Sequence, residues 1–539
     1  MSFFLQSCLF GFVLLALSPL APRANGATDT AQTEKVINLE QAIRLALEKN
    51  FVLKVNAFNP QIARARLTEA WGKYDPKITG SYQEAKDEAP NPIDPVSGVR
   101  PAADVSKTND ASLALTGLLP LGTIYQFGAT TSNQRGTFNN FADSYATYGG
   151  VSLTQPLLRD FGLTPSLYEI RIARTNLAIS EWEYAETITN LITQVIYAYS
   201  DLHLAHAYLR SAIRSRDMAV QLHNENEGRR QRGATSEYDV LSAKARVANR
   251  EDYVLRAERG VRLSENFLKQ LIGDEHNPDF LHWNLRIEPL PVAPAVDVDA
   301  ASGFRDALKQ RPDYRSAKLG VDKSGLDRRY YRNQLLPRVD LNGSYGYNGI
   351  GPDFAASRTD ARRQTYVASS AGISVSVPLT SAAERGRARA AKLRLRQAEV
   401  NLERLEQDIL IDVSNAAQQV ESTRNRVATT EIAQKLNEEM LEAELKRLRA
   451  GTGSTFNVLY QQEQLSSAEI AAAQARADHR KALADYDRQT GRTLATYHIA
   501  FAPHGQQSST ANANCHVIRD KDQGRLFSPT NNRKSSFSP

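Results

Sequence analysis

Two interruptions in otherwise helical sequence constrain this chain more than any other feature. Residues 232–241 read RGATSEYDVL and residues 450–459 read AGTGSTFNVL. Gly233 meets Gly451, Ser236 meets Ser454, Tyr238 meets Phe456 and Asp239 meets Asn457, each pair 218 positions apart. The same offset relates Leu177 to Leu395, Val195 to Val413, Ala198 to Ala416 and Gly273 to Gly491. Upstream the offset becomes 261, relating Leu47 to Leu308 and Pro76 to Pro337. GSY at residues 80–82 answers GSY at 343–345, and TQPL at 154–157 answers SVPL at 376–379. A chain patterned this way folds as two copies of one unit: short helix, strands, long helix, glycine break, shorter helix.

The copies span residues 27–273 and 300–491. Between them, residues 274–299 form a linker with Pro278, Pro289, Pro291 and Pro294. Residues 492–539 become Ser/Asn-rich and read as a flexible tail. Residues 1–26 read as a secretory signal peptide. The apolar run at 8–17 is shorter than a bilayer span, and Ala24 and Gly26 supply small residues for cleavage, although a positive n-region is missing. LQSC at residues 5–8 resembles a lipoprotein box only faintly, because the apolar run follows the cysteine. No later stretch supplies the roughly 18 apolar residues of a membrane helix, so any membrane crossing must use β-strands.

The helical segments carry narrow apolar seams. Leu465, Ala468, Ala472, Ala475, His479, Ala482 and Tyr486 alternate by three and four, as do Ala398, Leu402, Leu405, Ile409, Val413, Ala416 and Val420. Charged residues fill the other faces, which suits a thin wall of helices. Lengths agree: a helix over 166–231 extends roughly 100 Å, and helices over 39–73 and 236–272 placed end to end extend roughly 108 Å. In copy two, 382–449 stands against 300–336 plus 454–490. The strand regions alternate. Val339, Leu341, Gly343, Tyr345 and Tyr347 interleave with polar or small residues, as do Ala371, Ile373, Val375 and Val377. That pattern fits barrel strands with lipid on one side and water on the other, and equally any half-buried strand.

Copy one also carries an insertion. Residues 111–133 alternate on both sides of Pro120-Leu121-Gly122 and read as an additional hairpin, which would either join the wall or pack elsewhere. Residues 85–107, with Pro90, Pro92, Pro95 and Pro101, read as a long surface loop.

Taken together, INLEQAIRLALEKN (37–50), SLTQPLLRDFG (152–162), VSVPL (375–379) and the paired glycine breaks, in duplicated order, make the chain resemble the TolC family of outer-membrane efflux and secretion channels over residues 36–494. The resemblance implies an α+β membrane protein: internally duplicated, with transmembrane β-barrel strands continued by a long coiled-coil α-barrel in a trimeric tube. It implies residence in the outer membrane with extension into the periplasm. The implied partners are two further copies of the chain, outer-membrane lipid, a periplasmic adaptor (membrane fusion) protein and an inner-membrane pump or ABC transporter. Substrate would pass by diffusion. Arg232, Gly233, Ala234, Gly451 and Thr452 match the tip turns that would contact the adaptor. Asp239 and Asn457 follow those turns, and with Tyr460 would line the periplasmic pore entrance. Some relatives carry acidic residues in the second copy, where this chain has Asn457, so a polar or aromatic constriction fits better than a charged one. Asp239 has a second reading, as a residue favouring the first turn of its helix. Pro156, Gly162 and Pro378 match the strand-to-helix corners. With the usual two strands per copy a trimer has twelve, and if the insertion joins the wall it has eighteen.

Other functions find little support. Sixty-six Lys+Arg stand against 60 Asp+Glu, net +6 and dispersed, without the basic clusters and aromatics of a nucleic-acid binder. Only Cys8 and Cys515 occur, which excludes a disulfide framework in the body of the protein. No phosphate loop, G-x-S-x-G or H-E-x-x-H is present, so neither a catalytic residue nor a cofactor is expected. His203 and His206 lie near Asp201 without a clear further metal ligand. Asp306 and Asp313 lack an accompanying nucleophile. Arg385, Arg387 and Arg389 form a basic cluster, either a solvated helix start or an attraction for anionic lipid or cargo. The rival from another class is a periplasmic coiled-coil scaffold without a pore. It accounts for the heptads but not for alternating strands at the same point of each copy, and it predicts release from membranes by salt or carbonate.

Overall fold

The period-2 and heptad segments become a sheet and a layer of helices joined end to end. The computed structural model describes residues 34–233, 235–273, 283–288, 298–450, 452–499 and 501. Copy one begins with β1 (Glu34–Ile37), α1 (Leu39–Lys49), α2 (Phe51–Asn56) and α3 (Phe58–Trp71). Strands β2 (Lys77–Ala89), β3 (Asp104–Leu118), β4 (Ile124–Gly136) and β5 (Tyr145–Pro156) follow, then α4 (Leu163–Ser166), α5 (Tyr168–Gln231) and α6 (Glu237–Ile272). β6 (Asn284–Ile287) lies in the proline-rich linker. Copy two comprises α7 (Ala300–Gln310), α8 (Pro312–Asn333), β7 (Arg338–Gly351), α9 (Phe354–Arg362), β8 (Tyr366–Ser376), α10 (Ala382–Arg449) and α11 (Thr455–Thr490), with α12 (Thr493–Thr496) beyond it. The signal segment, most of the linker, its four prolines and the tail from 502 onward lie outside the described residues.

One sheet holds six strands in the order β2-β3-β4-β5-β7-β8, every neighbour antiparallel. The inserted hairpin is β3-β4, and it sits inside the sheet between β2 and β5. The loop expected over 85–107 is shorter than its composition suggested. Ala85 pairs with Thr108 and Ala89 with Asp104, leaving residues 90–103 and their prolines as the connection. Alternation is carried through the registers. Tyr82, Leu113, Phe127, Leu153, Leu341, Tyr345 and Ile373 fall on one face. Hydroxyls and amides fall on the other, with Ser81 2.7 Å from Ser112, Ser344 2.8 Å from Ser370, and Thr154 donating to Asn342 at 3.0 Å. This polar face borders a cavity of about 750 Å³.

The helices form a layer one helix thick. α3 and α6 flank α5 on one side. α8 and α11 lie between α5 and α10, in contact with both. α3/α6 therefore make one margin and α10 the other. The seams close this layer: Ala472, Ala475, Ala482 and Tyr486 of α11 and Ile409, Val413, Ala416 and Val420 of α10 are buried, the alanines permitting close approach. Among the described residues no helix is long and apolar enough to cross a membrane.

The short helices expected over 39–73 and 300–336 are each broken. Asn50 and Arg311, 261 positions apart, adopt nearly the same extended backbone, φ −61° ψ 124° and φ −61° ψ 123°. Pro312 forces the second break, because its ring disfavours a helical residue before it. Asn50 produces the first by capping α2, its side chain accepting from Leu53 N. Both side chains then make the equivalent tertiary bond. Asn50 donates to the Leu271 carbonyl at 3.0 Å, and Arg311 donates to the Gln489 carbonyl at 3.5 Å and its side-chain oxygen at 2.9 Å. Here the largest core gathers, with Ile37, Ile43, Ile192, Val195, Leu202, Leu268 and Leu285 all buried. β1 and β6 pair in parallel over it, and the buried Tyr199 hydroxyl donates to the carbonyls of Ile37 and Glu288 where they end. Burial pushes that hydroxyl up to about 12.

Candidate functional site: helix turns and strand-to-helix corners

Each glycine break turns a long helix into a shorter one, by different means in the two copies. In copy one α5 ends at Gln231, and the amides of Arg232 and Gly233 bond to the carbonyls of Arg229 and Arg230. Gly233 has φ +73°, a left-handed conformation open to glycine without the clash of a Cβ. Ser236 then caps α6. Its hydroxyl accepts from Asp239 N at 3.2 Å, while the Asp239 carboxylate accepts from Ser236 N at 3.2 Å, Ser236 Oγ at 2.6 Å and Thr235 Oγ1 at 2.9 Å. This is a capping box with an aspartate in the reciprocal position. The hydroxyls of Ser236 and Thr235, together with the Ser236 amide, hold the carboxyl below its ordinary range.

In copy two, Thr452 N and Gly453 N converge on the Arg447 carbonyl, each at 3.0 Å. A Cβ on Gly453 would meet Leu448 N at 2.8 Å, so close approach rather than positive φ demands glycine there. Ser454 Oγ accepts from Asn457 N at 3.2 Å, and no reciprocal bond returns from Asn457 among the described residues. Ala234 and Gly451 lie outside the described residues. Arg232, Asp239, Asn457, Tyr238 and Phe456 are exposed, and Tyr460 is 53% exposed. No hydrogen bond joins Asp239 to Asn457 or Tyr460 among the described residues. Behind the turns, Leu441, Val458 and Leu465 bury together against Met218, Leu445 and Leu448, tying α10 and α11 to α5. The repeat aligns Gly451 with Gly233, so sequence reasoning passes over Gly453 as the crowded position, although the GTG triplet signals it.

At the other end lie the corners. Pro156 is buried and ends β5, and Leu157 N donates to Val339 O at 2.7 Å. Gly162, at φ +89°, caps α4 and donates to Leu121 O at 3.1 Å. Two residues that sequence reasoning did not single out lock this corner. Asn333 accepts from Asp160 N at 2.9 Å, and Gln334 accepts from Arg159 Nε at 2.7 Å while donating to the Asp160 carboxylate. Tyr168 stacks on Tyr330 at 4.1 Å and donates to Asp327 at 2.7 Å; burial, then that carboxylate, pushes its hydroxyl up. Pro378 is exposed. Its carbonyl accepts from Ser381 Oγ at 3.0 Å, and Leu379 is 102% exposed.

The other candidates are structural. Asp306 pairs with Arg492 and Asp313 with Arg311, not with each other. His203 and His206 are half-buried, and burial, then Arg210, holds both below the ordinary imidazole value. Among the described residues no three His, Cys, Asp or Glu side chains gather as a metal site. Arg385 donates to the Thr380 carbonyl at the start of α10.

The family model described as outer membrane efflux protein matches residues 106–274 and 304–492. The alkaline protease secretion protein AprF of Pseudomonas aeruginosa is 25% identical over 355 residues, covering 65% of this chain and 70% of that protein. The outer membrane efflux protein BepC of Brucella suis is 22% identical over 478 residues, covering 87% and 89%. The Campylobacter jejuni CmeC outer membrane channel has the same fold, with a TM-score of 0.63 at 18% identity over 84% of this chain and 86% of that one. The Neisseria gonorrhoeae MtrE channel, solved in its open state, gives 0.58 at 18% identity over 85% and 89%. With the family model spanning both copies and the sheet and helical wall of a channel in place, the chain belongs to the outer membrane efflux protein family, and its work is export through a channel in the outer membrane.

Proposed function

We propose that three copies close side by side into one tube that carries cargo passively from a periplasmic adaptor and an inner-membrane pump or ABC transporter to the exterior. One observation carries this reading: both margins of the protomer are unfinished, and they match. β2 and β8 are the outer strands of the sheet, 13 and 11 residues long and exposed almost throughout. Long unpaired edges of this kind are templates for pairing. Five successive antiparallel pairings leave β2 and β8 running in opposite directions. β8 of one copy therefore pairs antiparallel with β2 of the next without any reorientation, the condition for a closed ring. Three protomers give an eighteen-stranded barrel, apolar outside and hydroxyl-lined inside. The helical margins agree, with Phe58, Ile62 and Phe267 exposed on one and Val400, Leu410 and Ile432 on the other.

In this reading the turns at Arg232-Gly233-Ala234 and Gly451-Thr452 form the periplasmic tip and dock the adaptor. Asp239, Asn457 and Tyr460 line the entrance. Residues 274–299 belong to the equatorial belt, and the chain performs no chemistry. Reconstitution of the full chain in a planar bilayer tests the reading. A steady conductance is expected, together with retention in membranes washed with carbonate. Release by carbonate without any conductance would return the chain to the scaffold reading.

A further inference from the structure

The helix α9 has no counterpart in copy one, and its surroundings give it a partner. We infer that α9 is a docking surface for the phosphate-bearing headgroups of lipid in the outer leaflet, an inference that rests on the apolar face of the sheet being the lipid face. Its position follows from two glycines. A Cβ on Gly349 would come within 2.2 Å of Ala361 N and Ser357 O, and one on Gly351 within 2.6 Å of Ser357 N. Ser357 is fully buried and its hydroxyl meets Thr147 Oγ1 at 2.8 Å. Gly349 and Thr147 are partners in register and share the face of Tyr345, Tyr347 and Val151. α9 is thus clamped onto the apolar face of β5 and β7, at the end of the sheet far from the helical layer. It covers the strand from Gly349, two residues or roughly 7 Å beyond Tyr347 at about 3.4 Å per residue, where an aromatic girdle gives way to headgroups.

Its chemistry suits that level. Both acids of the segment are occupied by backbone amides: Asp353 accepts from Ala356 N at 2.7 Å and Asp360 from Ile350 N at 3.2 Å. Arg358, Arg362 and Arg363 are exposed, and none has a carboxylate within ion-pair distance among the described residues. Arg358 lies over the exposed Phe354 ring at 5.7 Å, placing an apolar group beside the cations. A basic surface with an aromatic, continuous with a lipid-facing band, binds anionic headgroups.

The full chain is reconstituted in phosphatidylcholine vesicles containing bisphosphorylated lipid A, re-extracted in mild detergent, and the lipid A retained per channel is counted. The wild type is expected to retain it. The triple variant Arg358→Gln, Arg362→Gln, Arg363→Gln should retain at least about tenfold less with unchanged conductance, because these arginines lie off the lumen. Gly349→Val, which undocks α9, should show the same loss. Lipid A stripped of its phosphates should stay at the low level in every case. Equal retention by the wild type and the conducting triple variant overturns the inference. So does displacement of the lipid by inorganic phosphate, which would reveal a simple anion site. A wild type without conductance overturns the channel reading instead.

Discussion

The two strand-to-helix corners derive from the same repeated sequence, yet one is locked and the other bare. At the first corner Pro156 is buried and the segment after it is bonded to the end of α8 through Asn333 and Gln334. Around Pro378 the chain is held by its own turn, and Leu379 is wholly exposed. The difference is positional. The first corner lies mid-sheet, where β5 meets β7 and α8. The second follows the edge strand β8 and enters the marginal helix α10. In a closed trimer the neighbouring copy would give the second corner what α8 gives the first. A repeat inside a ring-forming chain need not be symmetric within one protomer, because part of each copy's environment comes from another subunit.

The largest effect is expected at the locked corner. Gly122 has φ +91°, and a Cβ there would lie 2.6 Å from the Asp160 carbonyl. Gly122→Val should destabilise the protomer by about 2–5 kcal/mol, combining backbone strain with overpacking, and reduce the folded band in a heat-modifiability assay. At the bare corner, Leu379→Ser should leave protomer folding intact but weaken each subunit contact by about 1.5–3 kcal/mol, read as trimer dissociation at lower denaturant. Equal effects on folding and assembly would erase the contrast. Gln334→Ala should cost about 0.5–1.5 kcal/mol by removing its hydrogen bonds to Arg159 and Asp160, which keep each other as ion-pair partners, measured by thermal unfolding.

The smallest effect separates the two tips. The Asp239 carboxyl is held below its ordinary value, so its capping contribution is complete above the usual carboxylate range and is lost as pH falls through its own lower value. Hydrogen-exchange protection factors, corrected for the intrinsic pH dependence of amide exchange, should therefore fall over residues 235–240 on acidification, while those over 454–459 stay level because Asn457 does not titrate. Asp239→Asn should remove the acid dependence from the first tip.

Much of this was legible in the sequence wherever the cause was local. The duplication placed both glycine breaks, and alternation placed β7, β8 and the inserted hairpin. Pro312 is a local signal for the break in copy two, which the single helix expected over 300–336 overlooks. The break at Asn50 was silent, since it depends on a cap and on a bond to Leu271, 221 residues away. The pairing of residues 85–89 with 104–108 was hidden by the prolines between them. α9 is nine residues long, too short to display a period, and its seat depends on Gly349 and Gly351 approaching its backbone. Asn333 and Gln334 gave no sign of their corner role, because their partners come from the other copy. What the sequence concealed were contacts between copies and between distant segments.

The central claim is that the two open edges of the sheet close on each other in a ring of three. With Cys515 replaced, single cysteines stepped along β2 at Thr79, Ser81 and Gln83 can be combined with cysteines along β8 at Ser370, Gly372 and Ser374, and oxidised in native membranes. The account predicts that pairs in register give covalent dimers and trimers and nothing larger. Monomers from every pair, or a ladder running beyond three, would contradict it.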